Sequence, residues 1–180
     1  MGQFWNSSLL EPKRQHRWVV TFGDLLSQNV PSYVARKCDK PSFEINETQH
    51  KYFGHTFKYP GQVTWQDVSI TIVDPVSPNA TDGLWNSLRN AGYRPPSSRA
   101  SNDGLWTVTK AAAVNAIGPT IFLQQLGAVP GDGAPTEVLE TWKLVNPWLK
   151  DVKFGELSYD DDGIVEISMT IAYDYAEQSP

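Results

Sequence analysis

The chain has 180 residues, of which 40% are apolar and 19% charged, enough for a sizeable core and too apolar for a disordered chain. A formal net charge of −5, from 20 acidic and 15 basic residues, excludes a protein that grips nucleic acid along its phosphates. A single cysteine, Cys38, excludes a disulfide framework and a cysteine-based zinc site, and fits a reducing cytoplasm.

In chain order, residues 1–16 read as an N-terminal arm, with the aromatic pair Phe4 and Trp5 near its start and a basic, Pro-containing run at its end. No apolar signal core follows Met1, and no apolar run is long enough to cross a membrane. The β-branched and aromatic stretch at 17–22 predicts a strand. Phe43 and Ile45 share one face of a second strand. Val68, Ile70 and Ile72 share one face of a third, with Asp67, Ser69 and Thr71 opposite. Between these two, residues 47–62 form an unusually long connection carrying Tyr52, Phe53, Phe57 and Tyr59. Such aromatics are poorly placed in water, so this segment is expected to be an extended hairpin or lobe that docks on a partner.

The clearest helix covers 82–91, with Leu84, Trp85 and Leu88 as its apolar stripe, Thr81 or Asp82 as its N-cap and Gly92 as its left-handed terminator. The stretch 95–135 is a loop-rich excursion containing a short Ala-rich helix at 109–118. Strands follow at 119–127 and 136–145, joined by a flexible turn. The last strand, 164–175, sets Val165, Ile167, Met169, Ile171, Tyr173 and Tyr175 against Glu166, Ser168, Thr170, Ala172 and Asp174. Residues 177–180 remain as a tail. The result is a mainly β (α+β) single domain over 17–176, a sandwich or barrel of about six strands with one flanking helix and a second short one.

Motifs for chemistry are weak. The run Tyr159 to Gly163 holds three aspartates but lacks the alternating ligands and distant Glu of a calcium loop, and reads as a hairpin turn. The glycines of 127–133 are followed by a strand and by no Lys-Ser/Thr, which fails both phosphate-loop patterns. His16, His50 and His55 are the only histidines, and the last two would point to opposite faces of a regular strand. No nucleophile–base pair is evident, so neither an enzyme nor a cofactor is expected. The basic clusters at 12–14 and 35–37 are either solvated loop charge or partners for acidic patches on neighbouring copies.

Several segments together resemble the tail tube proteins of contractile-tailed bacteriophages: residues 11–22, 40–75, 140–159 and 165–176, above all YPGQVTWQDVSITIVDP and ISMTIAYDYA. The resemblance implies a subunit whose strands join a ring-wide inner β-barrel when six copies close, and rings that stack into a hollow tube. Sheath, baseplate and tail terminator proteins are the implied partners, and the virion tail the implied location after synthesis in the bacterial cytoplasm. On that view Asp67, Ser69, Thr71, Glu166, Ser168, Thr170 and Asp174 line a small, polar, acidic lumen through which DNA slides without specific binding. Phe4, Trp5, Tyr52, Phe53, Phe57 and Tyr59 contact neighbouring subunits. The same fold serves tube-initiating and tube-terminating rings and the inner tubes of injection systems. A monomeric β-barrel that binds a small ligand is the remaining alternative, and predicts an apolar pocket inside the barrel.

Overall fold

Two segments, Val68–Val73 and Glu166–Ala172, alternate large apolar with small polar side chains, and both are half-buried strands in the computed structural model. The structure describes residues 13–23, 30, 34–95, 107–127, 137–160 and 162–179. Phe4 and Trp5 therefore lie outside the described residues, as does most of the first half of the 95–135 excursion.

Ten strands and two helices occur among the described residues. In chain order they are β1 (Trp18–Thr21), β2 (Ala35–Cys38), β3 (Ser42–Tyr52), β4 (His55–Gln66), β5 (Val68–Val73), α1 (Ala80–Asn90), α2 (Lys110–Ile117), β6 (Thr120–Leu126), β7 (Val138–Val145), β8 (Trp148–Lys153), β9 (Glu166–Ala172) and β10 (Tyr175–Ser179). One four-stranded sheet has the order β1-β6-β7-β10, the other β2-β5-β9-β8, and β3 with β4 forms a separate two-stranded hairpin. All pairings are antiparallel.

The two larger sheets stack as a sandwich. Val20, Ile121, Leu123 and Leu144 from the first meet Val68, Ile70, Ile72, Ile167, Met169 and Ile171 from the second in one buried cluster. Burying each such side chain stabilises the fold by about 1.5–3 kcal/mol. Ala80 and Leu84 of α1 and Ile117 of α2 join the same cluster.

The expectation of a mainly β sandwich with two helices holds, but the strand number rises from about six to ten. Three of the added strands, β2 (ARKC), β8 (WLKDVK) and β10 (YAEQS), are polar and short. They are strands because a neighbour supplies the hydrogen-bond ladder, a cause that local composition does not reveal. The final strand is also not continuous. Ile167, Met169 and Ile171 do face the core. The chain then bends at Asp174 and crosses to the first sheet, so Tyr175 belongs to β10 and is 45% exposed. Residues 177–179 are part of β10 rather than a tail.

Helix α1 starts earlier than expected. Its N-cap is Asn79, whose side chain accepts from the Asp82 N–H at 3.2 Å. Thr81 instead donates its hydroxyl to Asp74 at 2.8 Å, and Asp74 also accepts from the Ala80 N–H at 3.1 Å. Gly92 takes φ +117 after the helix, as a left-handed terminator should. The aspartate run before Gly163 is not a tight hairpin turn. Strands β8 and β9 do pair, but the whole of 154–165 connects them.

Candidate functional site

Two surfaces carry what chemistry the fold offers: the outer face of the second sheet, and the hairpin β3–β4.

The pairing β5–β9 sets Ser69 opposite Thr170 and Thr71 opposite Ser168. Because Val68, Ile70 and Ile72 and their partners Ile171, Met169 and Ile167 are buried, these four polar residues lie on the outward face. Lys37 of β2 stands opposite Thr71, and Lys153 and Asp151 of β8 stand opposite Ser168 and Thr170. Glu166 ends the row, ion-paired to Arg36. Asp67, at the junction before β5, pairs with Lys150 at 2.5 Å. Five of the residues expected to share a face, Ser69, Thr71, Glu166, Ser168 and Thr170, are thus adjacent, with Asp67 at the margin. Asp174 leaves the row. It lies at the crossing between sheets, where it accepts from Lys110 at 2.5 Å and Asn146 at 2.9 Å. The Lys110 hydrogen bond, then that of Asn146, lowers the pKa of Asp174.

The face is polar but not acidic, which corrects the expectation. Its carboxylates sit beside Arg36, Lys37, Lys150 and Lys153, so the charges roughly cancel. The basic cluster at 35–37 likewise finds one partner, Glu166, within its own chain. The outer face of the first sheet differs in kind. By register Val19, Phe122, Val145 and Tyr175 project from it among polar neighbours such as Lys143 and Glu177, which pair at 3.1 Å.

In the hairpin every residue of β3 and all of β4 except Trp65 are exposed. Its register shifts between the pairs Ile45–Val63 and Glu47–Pro60, which leaves one extra residue in β4. A β-carbon on Gly61 would come within 2.8 Å of the Asn46 carbonyl oxygen, so the bulge uses the one residue without one. At the base, Phe43 and Trp65 stack edge to face with centroids 5.5 Å apart, and Trp65 lies 6.1 Å from Tyr173. Burial, followed by the nearby Asp67 charge, pushes the Tyr173 hydroxyl up to about 12. His50 pairs with Phe57 and His55 with Tyr52, which puts both histidines on one face of the hairpin and not on opposite faces. Among the described residues no group of three or more His, Cys, Asp or Glu side chains could hold a metal.

Glu140 of β7 ties the segment before β1 and the link between β2 and β3 to the first sheet. It binds Lys13, Lys40 at 3.1 Å and the Trp142 indole N–H. Lys13 above all, helped by Trp142 and Lys40 and opposed by burial, holds its carboxyl down to about 2. Sequence reasoning missed this residue, because its lysine partners lie a hundred or more positions away. Beside it, a cleft of about 450 Å³ opens between the edge strands β1 and β2, lined by Trp18, Leu123 and Trp142 on one side and Arg36, Lys37 and Cys38 on the other. Burial, then Asp39, pushes the Cys38 thiol up to about 12, which keeps it protonated and unreactive. This cleft lies at the sandwich margin, unlike the interior pocket that a ligand-binding barrel would need.

No protein-family model matches the sequence, and no curated protein matches it significantly. Solved structures do share the fold. The sheath–tube complex of the PVC extracellular contractile injection system, in its extended state, matches with a TM-score of 0.63 at 15% identity, over 93% of this chain and 91% of that one. The tube-terminating cap of the anti-feeding prophage matches with a TM-score of 0.65 at 16% identity, over 94% of this chain and 91% of that one. The six-fold symmetrised baseplate of the same particle matches with a TM-score of 0.62 at 14% identity, over 94% and 96%. The chain has the tube fold found in these contractile particles.

Proposed function

We propose that this chain is a structural, non-enzymatic tube subunit: six copies close into a ring, and rings stack into the hollow tail tube through which phage DNA passes. The observation that carries this reading is the second sheet. Its outer face is built from small polar and paired charged side chains, and its edges β2 and β8 are short strands, each interrupted by a bulge. Closing such sheets edge to edge around a ring satisfies the unpaired backbone groups and turns the polar face to a water-filled channel. Balanced charge gives DNA phosphates no ladder of cations to settle on. The apolar residues on the outer face of the first sheet suit the opposite side, where a sheath or a neighbouring subunit would cover them. Ring stacking is a head-to-tail contact, which propagates into a filament. On this reading the protein is made in the bacterial cytoplasm and ends in the virion tail, with sheath, baseplate and terminator as partners.

The comparisons favour one close alternative. A terminating cap and a baseplate share the fold as well as a sheath–tube complex, so a ring that starts or ends a tube, or the tube of an injection system, fits the same geometry. Light scattering and electron microscopy over a concentration series separate these readings. Rings that grow into tubes support the main tube subunit. Rings that never stack support an initiator or terminator. A chain that stays monomeric, alone and with baseplate extract, defeats both.

A further inference from the structure

From the walls of the cleft between β1 and β2 we infer that it is a socket for the acidic β8–β9 connection of a neighbouring copy, with Leu157 and Tyr159 as the inserted side chains. The inference rests on the assembly reading above and names a contact that edge-to-edge closure of the sheets does not itself supply.

The two walls differ in chemistry. Trp18, Leu123 and Trp142 make one side apolar, and Arg36, Lys37 and Lys40 stand along the other. Among the described residues, no Asp or Glu lines the cleft. Positive charge is in surplus around it. Lys13 and Lys40 share the one carboxylate of Glu140, Arg36 is matched by Glu166, and Lys37 has no ion pair among the described residues. At about 450 Å³ the space takes large side chains from an extended segment, not a folded element. Both flanking strands are sheet edges, so backbone groups are available to pair with such a segment.

The connection between β8 and β9 has the complementary character. Residues 154–165 hold four carboxylates and no Lys or Arg. Glu156, Asp160 and Asp162 form no ion pair among the described residues. Leu157 is 86% exposed and Tyr159 wholly exposed. They are two positions apart, so an extended segment sets both on one face, with Glu156, Ser158 and Asp160 on the other. The first face fits the tryptophans and the second the cations at the rim. Gly155 aims the segment. It takes φ +88, and a β-carbon there would sit 2.6 Å from the Glu166 carbonyl oxygen, so the chain turns away from the sheet just after β8. Strands β2 and β8 are the two edges of the second sheet, so ring closure sets β8 of one copy beside β2 of the next. The connection begins at that seam, next to the cleft. Leu157 and Tyr159 together offer roughly 300 Å². A stable interface takes about 800 Å² from each partner, so the socket reinforces the seam and fixes its register without holding the copies together alone.

The test is cross-linking of the full chain by a short bismaleimide, with Gln124→Cys in the cleft and Ser158→Cys in the connection, in a Cys38→Ser background. Isotope-labelled and unlabelled copies are mixed, and the linked peptides are read by mass spectrometry. Assembled particles should carry the link from position 124 to position 158 between copies, and the dissociated chain should not. Particles without that link, or with it only inside one copy, overturn the socket and leave the tube reading intact. Charge exchange gives an independent readout. Lys37→Glu and Asp160→Lys should each raise the concentration needed for assembly about tenfold, and the two together should restore it. Single variants that assemble as wild type, or a double variant no better than the singles, also overturn the socket. Anilinonaphthalene sulfonate that still quenches Trp18 and Trp142 in assembled particles would assign the cleft to a small amphipathic anion instead. A wild-type chain that never assembles overturns the inference together with the reading on which it rests.

Discussion

Asn146 donates from Nδ2 to Asp174 Oδ2 at 2.9 Å, and these two residues stand at two neighbouring crossings of the chain between the sheets. One crossing leads from β7 to β8 and the other from β9 to β10. Asn146 adopts φ +52, a left-handed conformation that asparagine tolerates and β-branched residues do not. Its N–H reaches the Pro119 carbonyl at 3.1 Å, and the Asp174 N–H reaches that of Val145 at 3.1 Å. Asn146→Val should cost about 1–3 kcal/mol, from strain and from the lost bond. Asp174→Ala should cost less, about 1 kcal/mol, because water screens its pair with Lys110. Chemical denaturation measures both, and the order of the two is the prediction.

The bulge should depend on Gly61. Replacing it with Val drives a side chain into the Asn46 carbonyl, so the hairpin must shift its register or open. The hairpin's aromatic contact with the body is through Trp65 and Tyr173 at its base, so thermal unfolding of the sandwich should barely move. Hydrogen exchange across 42–66 should rise, and assembly should fail. An unchanged exchange pattern in that segment would show that the bulge does not need glycine.

Acid should loosen the ties that Glu140 makes to Lys13 and Lys40. Its carboxyl titrates near 2 in the folded chain against 4.5 ordinarily, so the native state binds its proton more weakly than the unfolded state does. The resulting stability is complete above about 4.5 and disappears as pH falls toward about 2. Glu140→Gln should lose about 1–2 kcal/mol at neutral pH and show a flatter decline over that acid range. Urea unfolding at a series of pH values checks the slope.

How much of this was legible in the sequence depended on which force held each element. Strands β5 and β9 announce themselves, because a half-buried strand must alternate, and their polar rows were readable for the same reason. Strands β2, β8 and β10 were not, because ladder partners distant in sequence hold them. The hairpin's aromatics were visible as a group, but not their sides. Those depend on one inserted residue at Gly61, and the preceding Pro60 was the only local hint. Asp174 continues the alternation of β9 in sequence, yet its bond to Asn146 places it at a corner.

The polar wall makes a separate prediction. Ser69→Lys with Thr170→Lys places two cations opposite each other in every subunit. If this face lines the channel, assembled tubes of the variant should retain DNA in sedimentation at low salt about tenfold more than wild type, and release it as salt rises. Equal retention would mean that the face does not meet the cargo.

The most direct measurement is a cryo-EM map of the assembled protein, with the position of Ser69 and Thr170 read from it. The account predicts a hollow tube whose channel wall is the outer face of β5 and β9. A map that turns this face outward, or a chain that forms no ring under any condition, would contradict it.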